Sequence, residues 1–122
     1  MKQIAFIITI FVLLAISCSP KKDIQEAEIP PQIIPPDSMV ELMTDFHIAE
    51  ATLREYKRVG KNDERRSEVI YTQLFEKHGV TPDKFEKSRE FYEKNIELYY
   101  EIYTDIISSL TQIQTEVNKS EE

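Results

Sequence analysis

The sequence predicts an all-α fold, a small bundle of three or four helices, preceded by a signal peptide and a proline-rich linker. Three observations lead there. Apolar residues recur at spacings of three and four from Met39 to Val117. Helix-stop and helix-start residues punctuate that pattern at Gly60 and at His78-Gly79-Val80-Thr81-Pro82-Asp83. No alternating strand pattern or hairpin turn pair interrupts it, and the chain has only 2 glycines.

Met1-Lys2-Gln3 is short and positive, and Ile4 to Ile16 then runs apolar apart from Thr9. That stretch suits a secretory signal and is short of the roughly 20 apolar residues that span a bilayer. It ends on Ala15-Ile16-Ser17-Cys18, which resembles a bacterial lipobox, with Ala15 in the place usually held by Leu. Cys18 is the only cysteine, and only a thiol forms the thioether to a diacylglyceryl group. Three acyl chains, each stabilised by about 0.8 kcal/mol per buried methylene, exceed the two signals needed for stable anchoring. The alternatives are a cleaved signal peptide followed by an incidental cysteine, or a membrane-spanning anchor. Residues 1–17 are thus expected to be a lipoprotein signal and Cys18 the lipidated start of the mature chain.

Net charge is −7, and removing Lys2 with the signal leaves −8. Acidity of this kind argues against nucleic acid and anionic lipid surfaces, which attract clustered Lys and Arg. Arg54, Lys57, Arg58, Lys61, Arg65 and Arg66 are interleaved with acids and read as solvated. The mature length suffices for one small domain.

Residues 18–36 hold five of the six prolines and read as a semi-rigid spacer of about 3.1 Å per residue in the polyproline conformation. A second reading docks Ile29 to Ile34 on the domain as a strap. Acids after Cys18 are diluted by Lys21 and Lys22, which favours an outer-membrane lipoprotein facing the periplasm over export to the cell surface.

The helical domain is expected over residues 37–118, with a disordered tail at 119–122. Ser38-Met39-Val40-Glu41 has the form of a capping box. The helix it opens carries Met39, Leu42, Phe46, Ala49, Leu53 and Tyr56 on one seam, with Val40, Met43, Ile48 and Ala51 outside it. A helix apolar on more than one side should touch two neighbours, and it should end near Arg58 with Gly60 at the C-cap. A second helix, capped by Asn62 or Asp63, places Val69, Ile70, Leu74 and Phe75 on one face beside Tyr71 and stops at Gly79. Thr81 caps a third. From Phe85 the seam runs through Ser88, Tyr92, Tyr99, Ile102, Ile106, Ile113 and Val117, flanked by Phe91, Ile96, Tyr103 and Leu110. Two arrangements remain open: one long helix, or a break at Lys94-Asn95.

Asp45-Phe46-His47-Ile48-Ala49-Glu50-Ala51 and Phe75-x-x-His78-Gly79-Val80-Thr81-x-x-x-Phe85-x-x-Ser88 carry a resemblance to a family of short α-helical envelope lipoproteins of Gram-negative bacteria, a family of unknown function. It spans Pro36 to Leu110 and the lipidated start, and implies a helical, lipid-anchored, non-enzymatic protein. The second motif also resembles helical N-terminal regions of periplasmic parvulin-type chaperones, through a common helix–turn–helix pattern.

His47 and Glu50 stand three apart and face each other on an ideal helix, beside Met43 and Arg54. A metal would need further ligands, and di-iron bundles use Glu-x-x-His on two helices, whereas His-x-x-Glu occurs here once. A boundary hydrogen bond from His47 to an acid on a neighbouring helix is the expectation. His78 suits the C-terminal dipole of its helix. No nucleophile elbow and no phosphate-binding glycine loop is present. No catalytic residue, metal or cofactor is therefore expected. Asp45, His47, Glu50, Tyr99, Tyr100 and Tyr103 are candidates for a partner or ligand surface, with Tyr100 the most exposed. The leading function is a non-enzymatic protein-interaction module held to the membrane by acylated Cys18 and binding an envelope protein, in an oligomeric state left open. A chaperone-like periplasmic factor that binds extended clients is the alternative. A metal-dependent enzyme using His47 and Glu50 is the third.

Overall fold

The structure is a computed structural model and describes residues 29–61 and 64–121. The signal, Cys18 and the caps expected at Asn62 or Asp63 lie outside the described residues. Helix α1 spans Pro36–Arg58, α2 Glu64–His78, α3 Pro82–Glu93 and α4 Ile96–Ser120. Among the described residues there is no strand, and the fold is an all-α bundle.

The punctuation explains the corners. Gly60 and Gly79 both take the left-handed conformation, φ 67° and 60°. After α1, Gly60 N donates to Lys57 O and Lys61 N to Tyr56 O, at 3.1 and 2.8 Å. After α2, Gly79 N donates to Glu76 O and Val80 N to Phe75 O, both at 3.1 Å. Each is the paired closure that satisfies the last carbonyls of a helix, and its pivot residue takes a positive φ that glycine adopts without strain. Thr81 Oγ1 accepts from Lys84 N at 3.2 Å and Pro82 opens α3, as expected.

The start of α1 corrects the expected capping box. The helix begins three residues earlier, with Pro35 as N-cap, Pro36 inside, and no side-chain cap bond. Proline presets the helical φ at the first position, so Ser38 is already within the first turn. The break before α4 is real: α3 ends at Glu93 and α4 starts at Ile96. Asn95 does not cap with its side chain; its amide donates back to Phe91 O at 2.6 Å. At the far end α4 continues to Ser120, into the segment expected as a disordered tail.

Helix α1 is the axis, packed against α2 on one side and α4 on the other, and α3 lies on α4. Leu42 is 0% exposed at the centre, with Met39, Met43, Leu74, Phe85, Tyr92, Ile102 and Ile106 around it. Phe85 joins three helices: its ring lies 5.3 Å from that of Phe46 and 5.5 Å from that of Phe75.

Residues 29–34, placed in the linker by their prolines, dock on this core through Ile29, Ile33 and Ile34; the docked strap is the arrangement found. Ile33 N donates to Pro30 O at 2.9 Å across a turn with Pro31 at the position proline favours. The turn delivers Ile33 and Ile34 into the core at 7% and 2% exposure. Ile34 then bonds to α3 through both backbone groups. Its N–H donates to Ser88 Oγ at 2.9 Å, and its carbonyl accepts from the Tyr92 hydroxyl at 2.6 Å. Ser88, fully buried in an apolar seam, is small enough to let the strap approach and polar enough to receive its amide; its own proton goes to Lys84 O at 2.7 Å. Ser88→Ala orphans the Ile34 amide, and its expected cost is about 1–3 kcal/mol. A lower urea midpoint with an unchanged slope is the result to look for.

Candidate interaction surface

The sequence-predicted residues do not gather at one point. Asp45 faces the end of α2, where its Oδ2 accepts from Lys77 Nζ at 2.6 Å and lies 2.7 Å from His78 Nε2. Burial alone would push the Asp45 carboxyl up, but these two hydrogen bonds outweigh it and hold the group below its ordinary 3.8. Glu50 also faces α2 and accepts from the Tyr71 hydroxyl. His47 turns the other way, edge-on to Tyr103 of α4 with centroids 6.2 Å apart and edge-on to Phe46 at 6.3 Å. His47 and Glu50 therefore contact different neighbours and form no shared site. The boundary hydrogen bond expected of His47 belongs instead to His78, which the helix-end argument placed but did not pair. Among the described residues no group of three His, Cys, Asp or Glu could hold a metal ion.

On α4, Tyr99 and Tyr103 pack together with centroids 4.8 Å apart, both half-buried. Tyr100 is 72% exposed, as its position off the seam predicts. Burial, then its bond to Tyr103, pushes the Tyr99 phenol up. Tyr71, missed as a partner of Glu50, could have been found from antiparallel α1–α2 pairing, since Phe46 also stacks on it at 5.9 Å.

The phenols set an alkaline limit. The Glu50 hydrogen bond, aided by burial, pushes Tyr71 up to about 12, and burial pushes Tyr92 up to about 12. A raised folded-state value contributes stability fully present below the ordinary value of 10 and lost as pH rises through about 12. Asp45 has the opposite sign: its contribution is present above 3.8 and lost as pH falls through its lowered value. Denaturant midpoints should thus fall in alkali between pH 10 and 12, in step with late-rising phenolate absorbance. Tyr71→Phe should flatten that fall.

Two apolar features stay open. Between α2 and the turn after it lies an open groove of about 520 Å³, floored by Tyr71, Phe75, Val80 and Pro82 and edged by Glu68 and Glu76. On α4, Ile96, Tyr100, Ile107, Ile113 and Val117 are exposed. Val69 of α2, expected on the buried face, is also exposed. Among the described residues no helix is long and apolar enough to cross a membrane.

Fold and surface together define a small all-α domain in which acids and histidines tie helices to one another while apolar side chains remain outside. The chain belongs to the family described as Domain of unknown function (DUF4296), whose model matches residues 30–116. That span opens within the docked strap. No curated protein and no solved structure matches the chain.

Proposed function

We propose that this protein is a lipid-anchored envelope protein, held at the periplasmic face of the outer membrane by acylated Cys18, whose helical body is a non-enzymatic protein-interaction module. The observation that carries the interaction reading is the outer half of α4, where Ile113 and Val117 stand exposed one turn apart on a helix that buries Ile102 and Ile106 nearer its start. Solvent-facing apolar residues repeated along one helix are the mark of a surface awaiting another protein. Separate engagement of Asp45, His47 and Glu50 by different neighbours supports the absence of a catalytic role for them. The lipobox-like Ala15-Ile16-Ser17-Cys18 supports the anchor.

Two measurements test the two halves. Mass analysis of the mature protein should find an acylated N-terminal Cys18, and Cys18→Ser should release the protein from the membrane fraction. Affinity capture after cross-linking in the intact envelope should retain a defined protein that Val117→Glu loses. Equal capture by both forms sinks the interaction reading. The groove edged by Glu68 and Glu76 favours a second reading, a chaperone-like factor for extended clients, which predicts suppressed aggregation of unfolded proteins that Phe75→Glu abolishes.

A further inference from the structure

Helix α4 repeats its apolar residues with a strict seven-residue period. Ile96, Tyr103, Leu110 and Val117 fall on one heptad position, and Tyr99, Ile106 and Ile113 on the other. From Tyr99 to Ile106 this seam is already used: Ile106 is 1% exposed, and Tyr99 and Tyr103 are half-buried, while Ile96 at the start of the helix is exposed. Beyond Leu110 the same seam opens to solvent, with Ile113 37% and Val117 49% exposed. At about 1.5 Å per residue the helix is about 37 Å long, so its last turns project past the core. A seam of this period is shaped for another helix, because knobs every three and four residues fit the holes of a helical partner.

Charge identifies that helix. The chain is 30% charged and carries −7, yet no charged residue lies between Asp105 and Glu116. Two copies of an acidic protein repel wherever their acids meet, and this uncharged stretch, which holds Leu110 and Ile113 and ends at the Glu116 that precedes Val117, is where they can touch with least of that cost. A basic partner would instead gain most from the acidic remainder of the surface. We propose that the occupant of the Leu110–Val117 seam is the same seam of a second copy, related by a two-fold axis. This rests on the interaction module proposed above and names its partner.

In a two-fold pair the same patch meets itself, so Ile113, central in the stretch, lies beside its counterpart whichever way the helices run. Three seam residues per chain bury less than the roughly 800 Å² per partner typical of stable complexes. The pair is therefore weak in free solution and depends on both chains being confined to one membrane, where effective concentration rises.

The test uses the full mature protein, with its lipid, in liposomes. Ile113→Cys and Ser108→Cys are oxidised separately, Ser108 being exposed on the opposite side of α4. The expected result is a disulfide-linked homodimer from Ile113→Cys, several-fold weaker from Ser108→Cys, and lost when Val117→Glu is added with helical content unchanged. Equal yields at the two positions, or no homodimer at either, overturn the proposal. So does a different protein joined to Ile113→Cys in native envelopes, an outcome that leaves the interaction reading standing. Maleimide labelling of Cys18 in the parent chain tests the anchor alone: a reactive thiol there removes the confinement and, with it, the proposal.

Discussion

Replacing Ile33 and Ile34 together by alanine should leave the protein unfolded or close to it. Each is a buried aliphatic in the centre of the core, and truncation of such a side chain costs about 2–5 kcal/mol. The pair therefore costs on the order of 4–10 kcal/mol, comparable to the whole stability of a small domain, about 5–15 kcal/mol. The effect is disproportionate for two residues ahead of the first helix, because Ile34 also positions the groups that satisfy Ser88 and Tyr92. Each kcal/mol lowers the melting temperature by about 4–8 °C in a domain this small, so either single variant should melt at least about 8 °C below the parent. Gln32→Ala, in the same turn but exposed, is the matched control and should melt like the parent. Wild-type melting of the Ile33/Ile34 double variant would show that residues 29–34 are not part of the folding unit.

The second large effect is a contrast within one helix. Ile106→Ala should cost about 2–5 kcal/mol, whereas Ile113→Ala should change stability by no more than about 0.5 kcal/mol. The two residues are the same type, one heptad apart on the same seam, and differ only in what covers them: 1% exposure against 37%. Urea titrations of the two variants at low protein concentration in detergent read this directly. Similar losses at both positions would place Ile113 under cover within a single chain.

That contrast also marks where the sequence stops being informative. Periodicity located the helical stretches but ran unbroken through the α3–α4 break, because the spacing of apolar side chains is a property of the chain itself, and glycine at Gly60 and Gly79 reported the two left-handed corners. The same periodicity treats Ile106 and Ile113 alike, since burial depends on where α1 ends and not on α4. Ser88 carried a readable clue: a hydroxyl in an apolar seam must meet a polar group, and the strap amide is that group. The prolines hid the strap because they were weighed by backbone stiffness, while Ile33 and Ile34 beside them carried the burial. Asn95 was legible as an interruption and misleading as a cap, its amide turning back to Phe91. Among the candidate surface residues, exposure of Tyr100 followed from its position. The separation of His47 from Glu50 did not, because three residues apart is 60° around a helix, enough to reach two different neighbours in a bundle whose first helix has one on each flank.

The docked strap also settles how the body bears load. Any pull from the N-terminal side enters at Ile34, whose amide and carbonyl are both clasped by side chains of α3 rather than by the helix it leads into. Tension is thereby passed across the chain to a partner more than fifty residues later, and α1 is shielded from being drawn out turn by turn from its first residue.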